Sequence, residues 1–280
     1  MKLLGVALVL AWLLPAQGAA QEVGTVTYVE GSLRLIRGTT MYQGAEGERL
    51  RQGDIVESSD NGFVQLEFTG GAIVVLGPSS RVYVFRHSAA GKSGGEAAGG
   101  ELVLLSGWLK ALSGAHAGSD RYASLLLAAT TRNGTVVFHS SESGCDIFLE
   151  SGSAAIGEVS GAGNVGKPTT GNAGQFFSRH PGKNVTSASR PSAAFLDAIP
   201  RAFRDDLPSR LAHFTGKPPE PKAQHPVSYA EIQAWLTLPS EWRKGFVERF
   251  EPRLKDPEFR KQLEAHAAEY PEWEPALHPN

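Results

Sequence analysis

Glycine divides this chain in two. Of its 32 glycines, 28 fall in residues 21–189 and two in residues 190–280. Proline runs the other way, with 3 and 13 in the same spans. Glycine frees the backbone and proline fixes it. The first span must therefore turn often, and the second must run extended or start and stop helices.

Within 21–189 the apolar residues alternate. Val64, Leu66 and Phe68 stand strictly two apart, and Val26 with Tyr28, Leu33 with Leu35, and Val82 with Val84 repeat the interval. A period of two is the mark of a strand. Turn residues separate the runs at Glu30-Gly31, Arg37-Gly38, Gly53-Asp54, Asp60-Asn61-Gly62, Gly70-Gly71 and Gly77-Pro78. Asn61-Gly62 reads as a tight hairpin. Further strands are predicted at Glu101–Leu105, Trp108–Leu112, Leu125–Ala129, Thr135–His139, Asp146–Glu150 and Ala154–Val159. Strands at about ten-residue spacing predict a mainly β module, either a β-solenoid-like stack of short twisted strands or a sandwich. A small C-terminal helical appendage completes the expected fold.

The first 20 residues read as an export signal. Lys2 supplies a charge, Leu3 to Leu14 is apolar, Pro15 breaks the run, and Gly18-Ala19-Ala20 offers small residues for cleavage. Cleavage is expected between Ala20 and Gln21. The apolar run is shorter than the roughly 20 residues a membrane span requires, and no later run is longer. The mature chain is therefore expected to carry no membrane span and to be periplasmic or secreted. Export leaves the lone Cys145 without an internal partner, and the run Cys145 to Leu149 reads as a buried strand. The charge balance, 27 Lys and Arg against 29 Asp and Glu, excludes a strongly basic nucleic-acid binder.

Residues 23–86 resemble the FecR-like domain family. The resemblance is carried by Gly24-Thr25-Val26, Gly31-Ser32-Leu33-Arg34-Leu35, Leu50 to Ser58, Gly62 to Phe68, Gly71 to Leu76, and Pro78-Ser79-Ser80-Arg81-Val82. Gly53, Asp54 and Gly71 are its turn residues. The resemblance implies a stack of twisted strands outside the cytoplasmic membrane. It also implies kinship with regulators that control a sigma factor in iron uptake, through a cytoplasmic segment and a span that are not expected here.

Three glycine-rich motifs imitate catalytic ones. Gly91-Lys92-Ser93-Gly94-Gly95 has the spacing of a nucleophile elbow and the ending of a phosphate loop, yet no helical pattern follows it. Gly161-Ala162-Gly163-Asn164-Val165-Gly166 has dinucleotide-fingerprint spacing, but Lys167-Pro168 follows where a helix must begin. All are read as loops. The eight histidines show no metal-ligand spacing. No catalytic residue, metal or cofactor is expected, and Asp54 is read as a turn residue that caps its own backbone.

After residue 190 the period changes to that of helices. Phe195, Leu196, Ile199 and Phe203 share a face, residues 190–227 end in a proline-rich linker, and 228–280 reads as short helices. Ser228 with Glu231 forms a capping box, and Asp256-Pro257 opens another helix. Trp235, Phe246, Phe250 and Phe259 read as core. Trp242 and Trp273 lie off that stripe and, with Trp108, are the expected exposed contact residues. The first functional expectation is a non-enzymatic binding or scaffold module for an envelope protein or a cell-wall glycan. A periplasmic signalling regulator comes second and a hydrolase third.

Overall fold

The computed structural model describes residues 21–88, 99–114 and 118–279. The segment expected to be an export signal, including Ala20, and the Ser93 motif lie outside the described residues. The strands run β1 (Glu22–Glu30), β2 (Leu33–Arg37), β3 (Thr40–Gly44), β4 (Arg49–Arg51), β5 (Ile55–Ser58), β6 (Phe63–Phe68), β7 (Ile73–Leu76) and β8 (Arg81–Ser88). They continue as β9 (Gly99–Leu112), β10 (Asp120–Ala123), β11 (Leu127–Ser141), β12 (Gly144–Glu158), β13 (Thr169–Asn172), β14 (Phe176–Arg179), β15 (Thr186–Ala188) and β16 (Lys222–Pro226). All join one open mixed sheet, in which β9 and β10 pair in parallel.

The sheet folds over on itself. Its inner rows follow the register. Leu35, Val56, Val82 and Leu104 stand opposite one another across β2, β5, β8 and β9. Val64, Leu76, Leu109, Phe138, Ile147 and Phe177 form the second row, across β6, β7, β9, β11, β12 and β14. Both rows belong to one buried cluster built from strand and loop residues alone. Apolar side chains buried without a covering helix require the two halves of the sheet to cover each other. The arrangement is thus sandwich-like rather than a stack of successive layers.

Three of the expected strand pairs are single long strands. Glu101–Leu105 and Trp108–Leu112 merge in β9, and the other four expected strands merge into β11 and β12. The glycines between them are bends inside strands, not turns. Gly134 and Gly152 face each other across β11 and β12 with φ of 121° and 70°, and a Cβ on Gly152 would lie 2.6 Å from the Gly134 Cα. These bends carry each long strand from one layer to the other. Asn61-Gly62 is likewise not a hairpin, because β5 pairs with β2 and β8 whereas β6 pairs with β1 and β7. It is a crossing between layers.

Each outer face has its own cover. Met41, Ile36, Ile55, Tyr83, Val103, Ala123 and Ala128 form an unbroken cross-strand row from β3 to β11. The C-terminal helices α2 (Tyr229–Leu236), α3 (Ser240–Arg243), α4 (Phe246–Phe250), α5 (Pro257–Ala265) and α6 (Glu274–Leu277), which follow α1 (Ala193–Ala198), bury their apolar residues on that row. The opposite face carries the row Gln65, Val75, Lys110, Val137, Phe148 and Phe176. There Phe195 of α1 and Phe203 form the cover.

The helix starts follow the sequence. Glu231 accepts the Ser228 backbone N–H at 2.8 Å, and Asp256 accepts the amides of Glu258 and Phe259. Part of the linker pairs as β16 with β3. No helix among the described residues is long and apolar enough to cross a membrane.

Candidate functional site

The family-type turn residues are structural. Gly53 takes φ of 89°. Asp54 accepts the Arg51 amide at 2.8 Å, the backbone cap expected of it. It also holds Arg37 through two bonds of 3.0 and 2.7 Å, while Arg37 reaches Glu48 at 2.9 Å. Burial by itself lowers the Arg37 guanidinium, but Asp54 and Glu48 outweigh it and hold it above its ordinary value. Gly71 takes φ of 85° and donates its amide to the Phe68 carbonyl.

The Gly53 turn is also where the helical cover is fastened. Arg249 is half-buried and donates to the carbonyls of Gly38, Gly53 and Ile36 at 2.8, 2.6 and 3.0 Å. Burial pushes its guanidinium down to about 10, against the pull of Tyr83 and Asp54. The glycine-fingerprint loop serves the same docking. A Cβ on Gly163 would lie 3.0 Å from Pro239 and 3.1 Å from Glu241, and a strand rather than a helix follows the loop.

The three tryptophans expected as exposed contacts are buried. Trp108 is 9% exposed and stacks on His139 with ring centres 4.3 Å apart, under Phe195. Trp242 and Trp273 are each 1% exposed. A single helix face would leave both outside, but the short helices change direction and bury several faces. Trp235 and Trp242 instead use their indole N–H groups to pin the cover. Trp235 Nε1 donates to Glu57 Oε1 at 3.1 Å, and Trp242 Nε1 donates to Glu101 Oε1 at 3.3 Å. Cys145 is buried, and burial raises its thiol to about 12, so it is an inert core residue. No group of three or more potential metal ligands occurs among the described residues.

The Trp235 pin leads to a polar cleft of about 630 Å³ at the rim of the cover. Its floor is a cross-strand row two residues along from the apolar one: Arg34 on β2, Glu57 on β5, Arg81 on β8 and Ser106 on β9. Glu57 is buried beneath the two arginines, with Arg34 hydrogen-bonded to Oε2 and Arg81 Nε 3.8 Å from Oε1. The arginines remain 49% and 43% exposed along their side chains.

Turns form the walls. Ser59 Oγ accepts the Ser32 amide at 3.1 Å, and Ser59 N donates to the Ser32 carbonyl at 3.0 Å. Ser58 Oγ donates to the Gly77 carbonyl and accepts the Ser80 amide. Ser80 Oγ, in turn, accepts from Trp108 N and donates to Trp108 O, both at 2.8 Å, where β9 bends at Gly107. These hydroxyls replace ladder bonds that the bend removes. At the lip, Ser79 holds φ of 50°, unique among the described non-glycine residues, and donates its hydroxyl to Asp60 at 2.8 Å. A left-handed serine costs on the order of 1 kcal/mol, and such strain gathers at ligand sites.

Sequence reasoning missed this site. Arg34, Glu57 and Arg81 each lie in a run quoted above, but only the register brings them side by side. The available signal was a charged residue two positions from an apolar one on strands apolar on both faces: Arg34 beside Ile36, Glu57 beside Ile55, Arg81 beside Tyr83.

No protein-family model and no curated protein matches the chain. Two crystal structures of a candidate anti-sigma factor from Parabacteroides distasonis are similar in part, each at 6% identity, with TM-scores of 0.39 and 0.40. The matches cover 49% and 51% of this chain and 59% and 65% of those chains, less than two thirds of their length. A likeness this partial carries neither family nor function.

Proposed function

We propose that this protein is an exported, non-catalytic binding module that holds a cell-wall glycan in the Arg34–Glu57–Arg81 cleft. The observation that carries this reading is the cleft itself: concave, walled by cross-bonded turns, and lined by hydroxyls and charged groups. Its volume lies within the roughly 300–1,000 Å³ of ligand sites. A protein partner would call for an apolar centre. The large apolar residues exposed among the described residues, Leu196 and Leu211, line no part of the cleft. With the tryptophans buried, sugar recognition here rests on hydrogen bonds rather than ring stacking.

The test is co-sedimentation of the mature full-length chain with purified peptidoglycan. The wild type is expected to pellet with the wall. The double variant Arg81→Gln, Asp60→Asn, which leaves the Arg34 bond to buried Glu57 in place, is expected to stay in solution while keeping the wild-type melting temperature. Absence of wall binding, or equal pelleting of both proteins, would refute the proposal.

A further inference from the structure

We infer that the cleft selects a carboxylate-bearing saccharide over a neutral one, an inference that rests on the glycan reading above. The cleft holds unused hydrogen-bonding capacity. Glu57 lies at the floor with both oxygens engaged, Oε1 by Trp235 and Oε2 by Arg34. Arg34 spends one nitrogen on that bond, and Arg81 comes nearest to Glu57 through Nε, at 3.8 Å and beyond hydrogen-bond distance. The terminal nitrogens of Arg81 and the remaining nitrogens of Arg34 have no partner among the described residues. Two half-exposed guanidinium groups on one row, one strand apart on either side of a buried carboxylate, offer donors in the fork geometry that suits a carboxylate.

Asp60 and the serines account for the rest of the ligand. Asp60 accepts the Ser79 hydroxyl through Oδ1, and its second oxygen is free to accept from a ligand hydroxyl. The Ser32, Ser79 and Ser106 side chains also line the cleft and can donate or accept. A ligand that fits must therefore carry an anionic group and hydroxyl donors within one ring or two, as an acidic sugar does. An aliphatic peptide terminus supplies the carboxylate without the hydroxyls. A neutral sugar supplies the hydroxyls and leaves the guanidinium groups unmet. Arg34 and Arg81 are balanced by Glu57 and Asp60, so discrimination comes from short-range geometry rather than from long-range attraction.

The experiment is isothermal titration of the mature full-length chain with three probes: N-acetylmuramic acid, N-acetylglucosamine, and N-acetyl-alanyl-alanine. The acidic sugar is expected to bind at least tenfold tighter than either of the others. Arg81→Gln is expected to erase its advantage over the neutral sugar. Ser79→Gly keeps the left-handed backbone and is expected to weaken both sugars together. Equal binding of the two sugars, with both still weakened by Ser79→Gly, would overturn carboxylate selection and leave the glycan reading standing. Binding of the dipeptide as tight as the acidic sugar would overturn it in favour of a peptide carboxylate. Sugar binding that ignores both substitutions would overturn the cleft and the glycan reading together. Melting temperatures matching wild type exclude misfolding, and Arg81→Lys provides a second variant that keeps the charge while losing the fork.

Discussion

The two outer faces of the sheet are covered by different means. On one, the helical region 228–280 lays Trp235, Trp242, Phe246, Phe250 and Phe259 on a seven-strand apolar row, and Arg249 and two indole N–H groups pin it. On the other, the strap 193–214 buries two phenylalanines, packs Ile199 and Leu207 partly buried beside them, and adds several polar contacts. Lys110 Nζ donates to the Phe203 carbonyl, Gln65 to the Pro208 carbonyl, and Ser209 and the Arg210 amide donate to Glu67. The strap also carries Leu196 and Leu211, both exposed. The first cover shares one large apolar cluster with the outer row of the sheet and should unfold with it. The second depends on a few titratable groups and should yield first.

The largest expected effect is at Arg249. Arg249→Ala leaves three carbonyls without their charged donor and should lower stability by about 3 kcal/mol in urea unfolding. The strand and tryptophan signals should fall in one transition. A strand transition that stayed at the wild-type midpoint while the tryptophan signal shifted would break the claim that this cover is part of the core. Trp235→Phe is a smaller change, because it keeps the ring and removes only the N–H that holds Glu57. A cost of about 1 kcal/mol in positioning corresponds to roughly fivefold weaker wall binding. Loss of stability without loss of binding would make Trp235 a packing residue only.

The strap differs in its response to acid. Burial alone raises the Glu67 carboxyl, but the donors from Ser209, Arg210, Thr27 and Gln65 outweigh it and hold it below the usual range. A carboxyl so lowered contributes stability above its unfolded value, near 4.3, and loses it as the pH falls through the folded value. Urea midpoints measured from pH 7 down to pH 3 should therefore drop more steeply for wild type than for Glu67→Gln. Identical slopes would remove Glu67 from the account. The smallest effect is at Ser192, whose hydroxyl accepts the Phe195 amide at 3.1 Å and caps α1. Ser192→Ala should cost somewhat under 1 kcal/mol, read as faster amide exchange confined to the strap.

How much of this was legible in the sequence depended on whether the information was local. Strand content came from the two-residue period, and helix starts came from Ser228 and Asp256-Pro257. The capping role of Asp54 came from its place after Gly53. What stayed hidden depended on register and on layer. Gly134 and Gly152 carry the same composition signal as a turn glycine, but they bend strands. Trp242 and Trp273 sit off one helical stripe, yet a cover built from short helices buries more than one face. Arg34, Glu57 and Arg81 lie more than 20 residues apart in sequence, and only pairing across β2, β5 and β8 makes them a row.

Hydrogen–deuterium exchange of residues 21–280, with and without solubilised wall fragments, tests the cleft most directly. The account predicts slowed exchange in four segments, 31–34, 57–60, 78–81 and 106–108, while the strap and β15 stay unchanged. Protection confined to the strap, or to exposed sheet edges such as β15, would contradict it.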